Sequence, residues 1–163
     1  MIRKWLVFAL SAGILVSIGV GVGRSAGQEE EKESPLEKIM EKVNKASANI
    51  NKGTRNLTYF KKSQKSVEQN AKELVQLAKK AKPIKDALSR AKAEANPQAK
   101  WNEFMDALIK SSEQLEKIAA KPAETEAETK KVFDATKKAN VVLKKACADC
   151  HAVFRIDVEE TKF

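Results

Sequence analysis

Two cysteines and one histidine are all that the 163-residue chain contains of these types, and they fall within five positions, Cys147-Ala148-Asp149-Cys150-His151. Two thiols and an imidazole at this spacing form the attachment pattern of c-type haem. The thiols add across the two vinyl groups of a porphyrin, and the imidazole must reach the iron from the same side. On a helix with 100° per residue, Cys150 lies about 60° to one side of Cys147 and His151 about 40° to the other. Leu143 and Phe154 share that sector, at about −40° and −20°. The porphyrin-gripping face is therefore also the apolar face of the helix.

Three other chemistries use the same residue types. A redox-active dithiol usually stands at a helix N-terminus, where the dipole lowers the thiol pKa; here the pair lies toward a C-terminal end. Structural zinc takes four ligands, commonly Cys or His, and the chain has three such residues. A disulfide between these neighbours closes a very small loop and adds little stability. Covalent haem c, with its iron, is the expected cofactor, and a disulfide or dithiol is the remaining alternative.

Helices must position this segment. After residue 27 glycine occurs only at Gly53, and Ala, Lys, Glu, Leu and Gln dominate, all good helix formers. Ser34-Pro35-Leu36-Glu37 combines a capping box with proline at the first helical position. Leu36, Met40, Val43, Ser47 and Ile50 then recur at helical spacing up to Gly53, which ends or bends the helix. A second helix carries Phe60, Gln64, Val67, Ala71, Leu74, Ala78 and Ala81 on one face and stops before Pro83. Residues 83–96 form a long connection, with a short helical turn expected around Ala87 to Ala95. Asn96-Pro97 opens a third helix, with a stripe of Trp101, Phe104, Leu108, Ser111, Leu115 and Ile118. Glu124, Glu126 and Glu128 mark the acidic start of a fourth. It runs to about Phe154 through Val132, Phe133, Thr136, Ala139, Asn140, Leu143, Cys147 and Cys150. The expectation is an all-α, antiparallel four-helix bundle over residues 35–163 with covalently attached haem c.

A haem motif at the C-terminal end of such a bundle resembles the class II cytochromes c, the cytochrome c-prime family. The run Cys147-Ala148-Asp149-Cys150-His151-Ala152-Val153-Phe154-Arg155 is similar to that family's ending, with an aromatic and a basic residue after the haem histidine. Trp101 and Phe104 resemble the aromatic opening of its third helix. The likeness spans residues 35–155, and departs from the family in the acidic leader and the Lys-rich second helix. It implies that His151 is the proximal iron ligand and that Arg155 lies near the haem or a propionate, against a reading of Arg155 as a helix-end cation. In the family's low-spin branch the axial methionine comes from the first helix, and Met40 matches that position. Resemblance thus implies Met40 as distal iron ligand, with core packing as the alternative. Met105 reads as core. Without Met40 ligation, Leu36, Ile39 or Val43 would line a gas-accessible pocket. Tyr59 and Phe60 are candidates to pack near the ring, though sequence does not place them.

Residues 1–27 read as a targeting segment. Arg3 and Lys4 precede the uncharged stretch from Trp5 to Gly23, and Ser25 to Gly27 fit the small residues before a cut. At 19 residues the stretch is also near the roughly 20 needed for an uncleaved anchor, although Gly13, Gly19, Gly21 and Gly23 weaken it as a span. Residues 28–34 form an acidic, flexible leader. Either way the expected location is periplasmic, with a membrane association only if the anchor is retained. Removing Arg3, Lys4 and Arg24 from the 31 basic residues leaves 28 against 22 acidic, a net charge of +6 instead of +9. A basic surplus favours acidic redox partner proteins. Nucleic acid is not expected, since Arg clusters and aromatic platforms are missing. Family members often pair through their first two helices, so the resemblance allows a homodimer.

These readings converge on an exported mono-haem cytochrome acting in electron transfer. No nucleophile–base pair is recognisable, so no enzyme activity is expected. A five-coordinate haem protein binding NO or CO is the alternative, and a haem-free helical interaction protein the remote one.

Overall fold

The computed structural model describes residues 34–91 and 95–155, and within them every regular element is helical. Four long helices run Pro35–Gly53 (α1), Leu57–Ala81 (α2), Pro97–Ala119 (α3) and Glu126–Phe154 (α4), with a single 3₁₀ turn at Leu88–Arg90 in the α2–α3 connection. The arrangement is compatible with a four-helix bundle. The expected turn near Ala87 is thus present and short, while residues 92–94 lie outside the described residues, as do 1–33 and 156–163. None of the described helices is long and apolar enough to cross a membrane.

Each helix begins where a side chain can satisfy its free amides. At α1 the Ser34 hydroxyl accepts from the Glu37 amide at 3.2 Å, and the Glu37 carboxylate accepts from the Ser34 amide at 2.8 Å. Thr125 and Glu128 build the same reciprocal pair at α4. Asn56 and Asn96 cap α2 and α3 through Tyr59 and Ala99.

Hydrogen bonds between helices fix the direction of each neighbour. Asn49 in α1 donates to Asn70 in α2, and the Trp101 indole at the start of α3 donates to the Lys82 carbonyl just beyond α2, at 3.1 Å. At the opposite end, the Gln64 amide in α2 donates to the carbonyls of Ala119 and Lys121 that close α3. Gln64 is therefore a tie between helix ends, not a core residue. Successive helices pack closely in the order α1–α2–α3–α4, whereas the α1 and α4 backbones scarcely approach one another.

Gly53 occupies the last position of α1 for a steric reason. A Cβ there would stand 2.5 Å from Val67 Cγ2 in α2, so the α1–α2 approach requires the missing side chain. Burial follows the expected stripes with local shifts. Ala46 rather than Ser47 is fully buried in α1, Ala119 rather than Ile118 in α3, and Val75 and Leu77 join the α2 face. The core continues from Leu36 to Phe154, with a separate cluster of Phe60, Val132 and Phe133 at the other end.

Candidate functional site

The end of α4 owes its position to Phe154. This ring is buried, meeting Trp101 edge-on at a centroid distance of 5.2 Å and Phe104 at 6.1 Å. Trp101 is itself held by its bond to Lys82, so the last turn of α4 is clamped against the start of α3. One turn earlier stand Cys150 and His151, and another turn earlier Cys147. The Arg155 amide donates to the His151 carbonyl at 3.1 Å and closes the helix. Asp149, inside the motif, is turned to Lys145 at 2.7 Å on the outer surface.

Two cavities border these residues. One, of about 390 Å³, is walled by Leu36, Met40, Ala87, Trp101, Cys150 and Phe154, with Glu37, Arg90, His151 and Arg155 completing its lining. The other, of about 230 Å³, is bounded by Met40, Val43, Asn44, Ser47, Cys147, His151 and Arg155. Met40, His151 and Arg155 belong to both. They therefore mark a single cleft region between α1 and α4, with Cys150 on one flank and Cys147 on the other. Farther along the same two helices the seam is closed, because the Asn140 amide donates to Asn51 at 2.9 Å and to Thr54 at 3.0 Å. The gap is thus confined to the end of α4 that bears the motif.

The electrostatics distinguish among thiol chemistries. Cys147 and Cys150 are free and half-buried. Burial raises the Cys147 thiol above its ordinary value, and burial together with Cys147 pushes Cys150 up to about 11. Such thiols stay protonated at neutral pH, the reverse of a reactive dithiol. His151 is exposed on the cleft edge, and its pKa is lowered by partial desolvation and then by the neighbouring Arg155. On the rim, the Ser34 amide and the Arg90 guanidinium hold the Glu37 carboxyl below its ordinary value, Arg90 at 3.4 Å. Among the described residues no group of three or more His, Cys, Asp or Glu side chains converges as a metal site.

Met40, Cys147, Cys150, His151 and Arg155, all singled out from the sequence, thus meet at one place. Met105 is buried in the core. Tyr59 and Phe60 do not join the cleft. Phe60 packs on Phe133 at the opposite end, at 5.6 Å, and Tyr59 is 46% exposed; both belong to the start of α2, which is remote from the end of α4 in this topology. Ile39 packs on the core without walling either cavity. Arg90 and Glu37 were not foreseen as cleft residues, and no local pattern marks a pair separated by 53 positions. Comparison of the chain with protein-family models, curated proteins and solved structures gives no match.

Proposed function

We propose that this chain is an exported mono-haem c-type cytochrome with electron transfer as its function, built as an antiparallel four-helix bundle. The observation that carries the reading is the convergence of Cys147, Cys150, His151 and Met40 on one cleft between α1 and α4. These four side chains supply what covalent attachment and two axial positions require.

The residues fit the group on several independent counts. Cys147 and Cys150 flank the cleft as thiols and would form the two thioether attachments. His151 would supply the imidazole ligand to the iron, and Met40 would offer the thioether typical of closed electron-transfer sites. Leu36, Val43, Trp101 and Phe154 give apolar walls. Arg155 would bring positive charge to the same lining and suit a propionate carboxylate, whereas Arg90 is paired there with Glu37. When bound, haem supplies a ferric–ferrous couple, and the protein sets its potential through ligands, burial and nearby charge. The charge of Arg155 would favour the reduced, less positive state of such a group.

Visible absorption of the purified protein tests the ligand set. Sharp low-spin bands in the ferrous state, with no carbon monoxide binding until Met40→Ala opens the distal position, are the expected result. Unhindered carbon monoxide binding by the unmodified protein would replace electron transfer with the gas-binding function.

A further inference from the structure

Away from the cleft, α4 carries a second ordered face. Lys130-Lys131, Lys137-Lys138 and Lys144-Lys145 recur every seven residues. Seven residues nearly complete two turns, so each row drifts only about 20° per repeat. The result is two lysine rails about 21 Å long, with Asp134, Val141 and Ala148 between them. All six lysines are exposed, and the row from Lys130 through Lys144 reaches His151 at its next step.

Two of the six are neutralised within the helix, Lys130 by Asp134 at 3.0 Å and Lys145 by Asp149 at 2.7 Å. Lys137, Lys138 and Lys144 make no ion pair among the described residues; Lys137 lies 5.9 Å from the Phe133 ring. They surround Val141, which is 64% exposed, and next to it Val142 is 52% exposed. The face is mainly cationic, with Val141 and Val142 as a small apolar centre, so an acidic surface is its electrostatic complement. Clustered like charges also repel one another, and carboxylates on a partner would relieve that repulsion. A membrane-surface helix would instead present Trp, Phe or Leu for insertion, and this face has none.

We propose that this face of α4 docks an acidic protein surface, centred on Lys137, Lys138 and Lys144 around Val141. Docking there lays the partner along the helix toward the His151 end of the cleft. As a dock for a redox partner it rests on the function proposed above; the association itself needs only α4.

The test titrates the full-length exported protein by calorimetry with a synthetic helical peptide bearing Glu pairs at seven-residue spacing. A peptide of scrambled order and vesicles of phosphatidylglycerol serve as competitors. The matched peptide is expected to bind, and K137E/K138E/K144E to weaken it about tenfold or more. The equally charged control K62E/K72E/K80E on α2 should weaken it less than about threefold, with thermal unfolding verifying that both variants fold. No binding, equal binding of the scrambled peptide, or equal loss in both variants would overturn the proposal. So would vesicle binding through the same three lysines in preference to the peptide. Haem mass measured on the same sample separates the two readings. Haem without peptide binding removes the dock alone, and peptide binding without haem removes the cytochrome alone.

Discussion

Replacing Phe154 with alanine probes what holds the motif-bearing end of α4 in place. The ring is 6% exposed and meets two aromatic edges. Phe→Ala in a core costs about 3–5 kcal/mol, which already includes the roughly 0.5–1.5 kcal/mol that each edge-on pair adds to burial. Because Phe154 ends its helix, the last turn can fray and relieve part of the cavity, so the lower end, about 3 kcal/mol, is expected. For a domain of this size that lowers Tm by about 12 °C. Phe133→Ala supplies the control. It removes a comparably buried ring from the other end of the same helix, where Phe60 is its partner, at a cost of about 3–5 kcal/mol. Denaturant unfolding should register both losses. Native-state hydrogen exchange should separate them, because only Phe154→Ala exposes the amides of the final turn, including the Arg155 N–H that now bonds His151. A Phe154→Ala loss below about 1 kcal/mol, or exchange at the final turn matching that of Phe133→Ala, would refute the claim that the aromatic clamp positions His151 and Cys150.

Three further outcomes follow from the packing and charge. Gly53→Ala should destabilise by about 1–3 kcal/mol in denaturant unfolding through overpacking against Val67, although the same change in a free helix interior usually stabilises. Glu128 is held below its ordinary carboxylate value by the Thr125 amide, its hydroxyl and the Glu124 amide, so its contribution is complete above the unfolded value and lost as pH falls through the lower folded one. Glu128→Gln should accordingly lower stability at neutral and alkaline pH, leave it unchanged at pH values below the folded carboxyl's, and so flatten the acid limb of the stability–pH curve, as read by thermal unfolding. On the cytochrome reading, Cys147→Ala with Cys150→Ala should give a loosely packed or degraded product, because the proposed haem would no longer be tethered in the cleft between α1 and α4; sharp thermal unfolding of a normally accumulated double variant would contradict this.

Helix starts were legible because caps are local. Ser34 with Glu37, and Asn96 with Pro97, announce a helix N-terminus within four residues, and both stand where the sequence puts them. Cys147, Cys150 and Phe154 lie toward the interior as the rise of one helix predicts, whereas His151, expected in the same sector, is exposed. Relations between distant segments were not legible. Gly53 reads as a helix terminator until Val67 is placed against it. Gln64 falls on an apolar stripe, yet its amide closes the end of α3. Tyr59 and Phe60 drew attention as aromatics, but the alternating direction of the helices carries them to the far end. The opening between α1 and α4 depends on which seam of the bundle is left unpacked, and hydrophobic periodicity is the same for a packed seam and an open one. Arg90 reaches the cleft only because the α2–α3 connection folds back over Glu37.

Intact-mass measurement of the native exported polypeptide bears most directly on the central claim, that Cys147 and Cys150 carry a covalent haem. The cytochrome reading predicts one added haem mass that survives denaturation and maps to the peptide spanning both cysteines. An unmodified polypeptide mass, from cells with an intact haem-attachment machinery and adequate haem, would contradict it.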